Sequence, residues 1–235
     1  GTGPVSVQTL NASVTSGSGG SVTVTTDGNV STTNVATDGP MNGGAVSITS
    51  NNGAVTTGAI DSFGTSGTLG SVHLSAGTSV TAGAIGNQAA TGAITIDAGT
   101  SAILQLLNSA SDVSITVGGL ILEDTVSVSG TLTIDADSID FNGDVTAAVL
   151  DVMAATVDQM NPVTVSGTTT IVATGAVTLD NSANSFGGVV NVNGSTAALG
   201  ADSGGIDLGN VSTSGTLEVT SAGDVTDSGT LDVDG

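Results

Sequence analysis

The chain has 235 residues, of which 21 are Asp or Glu, one is His and none is Lys or Arg, so its formal net charge is −21. Only 9% of the residues are charged and 1% are aromatic, whereas an ordinary soluble domain carries about a quarter charged residues. Nucleic acid and anionic membrane surfaces are excluded as partners, because Lys and Arg carry the binding to both. We also expect no membrane span, since no apolar run approaches the roughly 18 residues that a span needs.

A short unit recurs along the chain, in which a small or turn residue precedes an apolar, a polar and an apolar residue. It begins at Gly20, Gly44, Gly70, Gly92, Gly130, Gly175, Gly188, Gly204 and Gly215. Strict alternation after a turn residue predicts a half-buried strand in each unit. A second set of strands keeps the same step, because Val30, Val55 and Val80 recur at one constant interval.

Later units are spaced more widely. The intervals from Gly92 to Gly130 and from Gly130 to Gly167 are much longer than those before them, which indicates two coils, or loop insertions, in each interval. Residues 101–108 and 146–160 contain better helix formers than the rest of the chain. A short helix is the alternative in 146–160, but we predict further buried strands, because β-branched residues persist and no helix cap is obvious.

A repeat period of roughly 20 to 26 residues is typical of one coil of a solenoid. One short strand buries too little apolar surface to offset its ordering entropy, and stacking coils solves this by aligning Val, Ile and Leu in continuous internal ladders. We therefore predict an all-β fold, a parallel β-helix (β-solenoid) of roughly ten coils over residues 1–235. Tandem β-sandwich domains are the alternative, which would need strands of alternating direction and two-residue hairpin turns.

Three units resemble the repeats of filamentous-haemagglutinin-type adhesins: Gly-Ala-Ile-Thr-Ile-Asp-Ala at 92–98, Gly-Thr-Leu-Thr-Ile-Asp-Ala-Asp at 130–137 and Gly-Thr-Leu-Glu-Val-Thr-Ser-Ala-Gly-Asp-Val at 215–225. The resemblance covers most of residues 19–235. It implies a right-handed β-helix that forms an exported rod at a prokaryotic cell surface. Adhesins of that family carry Lys and Arg, and this chain departs from them in having neither.

The residues give little support to catalysis. His73, the only histidine, occupies the polar position between Val72 and Leu74, so we expect an outward-facing strand residue. It has no second His or Cys with which to build a triad or a zinc site. Polysaccharide lyases on β-helices use Arg or Lys, which are absent, and aromatic platforms for a glycosidase cleft are almost absent too. We therefore expect that the protein is not an enzyme and has no cofactor apart from calcium.

The best cation candidate is the acidic cluster Asp135, Asp137, Asp140 and Asp144. Hard oxygen ligands from Asp suit calcium, although the spacing matches no EF-hand. The alternative is that these carboxylates only solvate strand faces and corners. Six more Asp residues near the C-terminus form a looser group: Asp202, Asp207, Asp224, Asp227, Asp232 and Asp234.

Two functions fit this composition. The first is a structural, protease-resistant extracellular protein that builds a filament, stalk or surface layer and associates with copies of itself end to end or laterally. The second is an adhesion module that binds a cell-surface or carbohydrate partner through loops at residues 36–43, 61–69 and 181–187. Because both ends lie within the repeat pattern, we expect either a part of a longer repetitive surface protein or a polymerising subunit.

Overall fold

The computed structural model describes residues 2–235, and within them it contains strands and no helix. Every strand pairing in this part of the chain is parallel, and the strands stack as a β-solenoid of about 11 turns. The predicted fold class is therefore confirmed, with one coil more than expected. The sandwich alternative is wrong, because sandwiches need antiparallel neighbours. The right-handed sense rests on the resemblance and stays a prediction.

The strands are, in chain order, β1 (Val5–Asn11), β2 (Val22–Thr26), β3 (Val30–Ala36), β4 (Val46–Ser50), β5 (Val55–Asp61), β6 (Val72–Ala76), β7 (Ser79–Ala82), β8 (Ile94–Ala98), β9 (Ser101–Leu104), β10 (Leu107–Ser109), β11 (Val113–Leu122), β12 (Val126–Phe141), β13 (Val145–Gln159), β14 (Val163–Val165), β15 (Thr169–Ala173), β16 (Ala176–Leu179), β17 (Ser185–Phe186), β18 (Val189–Gly194), β19 (Thr196–Ala201), β20 (Ile206–Thr213), β21 (Leu217–Ser221), β22 (Val225–Asp227) and β23 (Leu231–Val233).

Each complete coil presents three faces in the order A, B and C. Face A contains β2, β4, β6, β8, β15, β18 and β23, while face B contains β7, β9, β16, β19 and β21. Face C contains β10, β14, β17 and β22. Strands β1, β3 and β5 run from face B to face C, β11 runs from A to B, and β20 runs from C to A. The two longest strands, β12 and β13, pass through all three faces.

Apolar residues stack in register inside the solenoid. The ladder on face A contains Val24, Ile48, Leu74, Ile96, Ile115, Ile134, Val152, Ile171, Val192, Val211 and Leu231. The ladder on face B contains Val5, Val30, Val55, Val80, Ala102, Leu120, Ile139, Val157, Val177, Ala197 and Leu217. Most of these side chains are fully buried, and burying one Val, Leu or Ile side chain stabilises the fold by about 1.5–3 kcal/mol.

The coils shorten along the chain because their corners shorten. On the face A ladder, fewer residues separate Ile96 from Ile115, and Ile115 from Ile134, than separate Ile48 from Leu74 in an earlier coil. The connection from face A to face B shrinks from residues 51–54 to the continuous strand β11. The prediction of two coils in each wide interval is therefore confirmed.

The segments with better helix formers are also strands. Residues 146–160 lie almost entirely within β13, and most of 101–108 lie in β9 and β10. The strand interpretation is therefore confirmed in both places, and the helix alternative for 146–160 is wrong. Each segment is held in strand form by parallel neighbours on both sides, which outweighs the helix propensity of its residues.

Glycine residues precede the strands of face A where the backbones of neighbouring coils lie close together. A Cβ atom on Gly44 would lie 2.1 Å from the carbonyl oxygen of Gly20, and one on Gly70 would lie 2.2 Å from that of Gly44. Contacts that short do not exist between real atoms, so a side chain at either position would force the backbones apart. The glycine that opens these repeats is therefore required by the close stacking of the coils.

Candidate functional site

The acidic cluster predicted to bind calcium is spread over the surface. Asp135, Asp137 and Asp144 are exposed and Asp140 is half-buried, and Asp135 belongs to face A while Asp140 belongs to face B. In residues 2–235 no group of three or more His, Cys, Asp or Glu side chains is placed to hold a metal ion. The structure thus does not bring the four carboxylates together as one ligand set, and calcium binding stays a prediction.

Some acidic residues lie directly above or below a polar residue of the neighbouring coil. Asp140 pairs in register with Asp158, and the coil spacing of a sheet is about 4.8 Å. In the C-terminal group, Asp207 aligns with Thr226 and accepts a hydrogen bond of 3.2 Å from its hydroxyl. Neither contact belongs to a group of three or more acidic side chains in residues 2–235.

His73 points outward from β6, as predicted. Its Nδ1 atom lies 4.0 Å from Oδ2 of Asp97 in the next coil, and the two side chains are 42% and 47% exposed. Its neighbours in the ladder are Ser47 and Thr95. Among the described residues the His73 side chain makes no hydrogen bond, so Ser47 and Asp97 are not linked to it in the hydrogen-bonded chain of a catalytic triad.

The long connections of the first four coils lie at one corner, between face C and face A. We call residues 12–21, 37–45, 62–71 and 86–93 the loop stack; the fourth loop begins after Ile85, which still pairs within face C. Successive loops are bonded to each other: Gly39 pairs with Gly64, and Oδ1 of Asn42 accepts hydrogen bonds of 2.8 and 3.1 Å from the amide and hydroxyl of Thr68. Asn42 also donates to Ser18 over 2.7 Å. The loop stack is consequently an ordered part of the rod.

A carboxylate and an apolar surface lie together in the loop stack. Burial raises the pKa of the Asp38 carboxyl, and repulsion from Asp61 adds to the rise, against the lowering effect of hydrogen bonds from the Phe63 amide and the Ser13 hydroxyl. Asp38 and Phe63 border a shallow hollow of about 350 Å³. Met41, which is 56% exposed, lies in the same loop as Asp38. Two of the three loops predicted as contact sites, 36–43 and 61–69, thus share one corner.

The third predicted loop, residues 181–187, lies at a different corner, between faces B and C. It is held by Asn184, whose side chain is completely buried. Its Oδ1 accepts from the Val163 amide over 2.8 Å and from the Gln159 side chain. Its Nδ2 donates to the Leu179 carbonyl over 2.9 Å and to Oε1 of Gln159 over 3.0 Å. The amide thereby uses its full hydrogen-bonding capacity.

Sequence reasoning missed the structural role of Asn184. The residue precedes Ser185, which pairs with Thr164, so Asn184 lies over Val163 where the earlier coils of face C place an apolar side chain. In the sequence, this role is marked only by an Asn at a ladder position where the earlier coils have an apolar residue. The chain contains so many asparagines that this one is not distinctive. Loop 181–187 therefore has a structural reason for its composition.

Comparisons with known proteins identify only the repeats. Residues 129–193 and 194–235 match a family model described as repeats of unknown function (DUF5649). No curated protein matches the chain, and no solved structure does. Within residues 2–235, no helix has the length and apolarity that crossing a membrane requires. The C-terminal part of this solenoid is thus similar to the DUF5649 repeats.

Proposed function

We propose that this protein is a structural rod in a prokaryotic extracellular filament, stalk or surface layer. The observation that supports this proposal most directly is the pair of apolar ladders that continue through about 11 turns on faces A and B. At a rise of about 4.8 Å per coil they give a rod roughly 50 Å long. Such a core is stabilised by the contact of each coil with its neighbours, so it can extend in one dimension.

The composition suits a protein that is exposed to proteases and to salt outside the cell. The chain offers no Lys or Arg to trypsin-like proteases, and most of the described backbone is engaged in parallel strand pairing. Its net charge of −21 favours solubility and self-repulsion, which salt or divalent cations screen. Self-association end to end or laterally would thus depend on ionic conditions.

Electron microscopy of the purified protein, with calcium and with chelator, tests the proposal. Long uniform fibres in either condition support a filament subunit, and their loss in chelator would assign the carboxylates a bridging role. Isolated rods of single-molecule length in both conditions would contradict self-assembly and favour the second candidate function.

The second candidate is an adhesion module, and the observation that favours it is the loop stack. Its four loops form one ordered surface that includes the exposed Met41. Beads coated with the protein and presented to cells or immobilised glycans measure adhesion directly. A Met41→Asp variant should lose adhesion, while Met160→Asp, also at an exposed methionine but outside the loop stack, should retain it. Equal adhesion by both variants would contradict a role for the loop stack.

A further inference from the structure

Surface hollows lie on face A in its last four coils. Two adjoining hollows of about 370 and 450 Å³ share Val172, Asn193 and Ser212 in their walls. We call residues 170–174, 191–195, 210–214 and 230–234 the terminal groove. Ligand sites in proteins usually enclose several hundred cubic ångströms, so each hollow is large enough for part of a ligand.

The backbone of the terminal groove contains a β-bulge. The pairing of β18 with β20 shifts register between Val190 and Val192, where β20 contains one additional residue before Val211. A β-bulge of this kind bends its strand and increases the local twist. The two preceding pairings on face A, β13 with β15 and β15 with β18, show no such shift, so the bulge lies inside the groove, between its second and third coils.

The walls of the terminal groove carry uncharged hydrogen-bonding groups. Asn193, Asn210 and Ser212 are exposed, and within the described residues their side chains make no hydrogen bond to the protein. Each amide can donate and accept, and the hydroxyl can do both. These are the groups that pair with the hydroxyls of a sugar. Val172, which is 44% exposed, adds an apolar contact for the C–H face of a ring.

The charges of the protein restrict the ligand further. The chain contains no Lys or Arg, and Asp232 lies in the wall of the terminal groove. Phosphate, sulfate or carboxylate groups would therefore meet repulsion without a compensating cation. The polar rows repeat once per coil, about every 4.8 Å, a step comparable with one hexose in an extended chain. Each hollow is lined by residues of four successive coils, so a polymer lying in it would run along the rod axis.

We propose that the terminal groove binds a neutral polysaccharide chain lying along the rod axis. This goes beyond the structural role, because the rod then attaches to a glycan matrix as well as supporting a surface. The binding does not require the protein to polymerise. Failure of fibres to form in the microscope would thus leave this proposal intact, and failure of glycan binding would leave the structural proposal intact.

Affinity electrophoresis of the whole chain tests the inference, with gels containing a neutral glucan, a neutral mannan or anionic alginate. We expect retardation by at least one neutral polymer and none by alginate. The Asn193→Ala/Asn210→Ala double variant should bind about tenfold more weakly, because each lost hydrogen bond between uncharged groups weakens binding severalfold. Ser114→Ala/Thr116→Ala is the matched control, since both residues are exposed on face A outside the groove, and it should bind like the unmodified protein.

Circular dichroism checks that each variant is folded. Val172→Asp, at an exposed position, provides a second test that needs no buried change and should also weaken binding at least severalfold. The proposal is overturned if neither neutral polymer retards the protein, if alginate retards it more strongly, or if the control pair loses as much binding as the groove pair.

Discussion

Replacing Asn184 by Ala should destabilise the solenoid substantially. The substitution removes the acceptor of the buried Val163 amide and the donors to Leu179 and Gln159. A buried backbone group without a partner costs about 1–3 kcal/mol, and each other lost hydrogen bond costs about 1 kcal/mol. Because water can replace the lost contact at the half-buried Gln159, we expect a total loss of about 3 kcal/mol in the free energy of unfolding.

Urea unfolding followed by far-ultraviolet circular dichroism measures this loss, because the chain contains no Trp or Tyr to report by fluorescence. Asn34→Ala is the matched control, since Asn34 is exposed and its side chain makes no hydrogen bond in residues 2–235. It should change stability by less than about 0.5 kcal/mol. Equal unfolding midpoints for the two variants would refute the argument that this amide holds the corner.

Asn184→Asp distinguishes lost hydrogen bonds from lost volume. Its carboxyl would be buried, so its pKa in the folded state would lie above the value of about 3.9 in the unfolded chain. The folded state would then bind the proton more tightly, and stability relative to the unmodified protein should fall as pH rises from about 3 to about 7. A pH-independent difference between the two proteins would contradict this account.

Three further predictions concern packing and charge. Gly44→Ala should destabilise the protein by about 1–3 kcal/mol through overpacking. Gly119→Ala is the control and should leave the free energy of unfolding unchanged, because its added Cβ would meet only Ser138 Oγ at 3.4 Å. Equal urea-unfolding midpoints for the two variants would refute the close-stacking explanation. Thr169→Val should stabilise by about 1 kcal/mol in urea unfolding, since the buried Oγ1 of Thr169 has no hydrogen-bond partner, and Thr213→Val, which removes a hydroxyl bonded to the Gly215 carbonyl, should not. The Asp38→Asn variant should be more stable than the unmodified protein at pH 7, because the raised pKa of Asp38 means that ionisation of this carboxyl opposes folding. The difference in stability should disappear near pH 3, where the carboxyl is mostly protonated in the folded and the unfolded state. A difference that does not change with pH would contradict this explanation.

The sequence alone determined the fold class. Apolar and polar residues alternate with a period of two, and units such as Gly44 to Ile48 recur at similar intervals from Gly20 to Gly92, so strand formation and stacking follow from local rules. The spacing of Val30, Val55 and Val80 even predicted the register of face B correctly. The absence of Lys and Arg can likewise be read from the sequence, and the expectation that nucleic acid and anionic membranes are not partners stays a prediction.

Only the tertiary structure decided which polar residues of different coils meet. The acidic cluster looked like a ligand set because its members are close in sequence, but alternate strand residues and successive faces point in different directions, so Asp135 and Asp140 separate. Asn184 gained its role from Val163 and Gln159, 21 and 25 residues away. The terminal groove contains a β-bulge made by one additional residue in β20, which only the pairing with β18 shows. In a solenoid each coil is placed by its neighbours, so a change of one residue in a corner alters what lies above and below it, and no local pattern records the result.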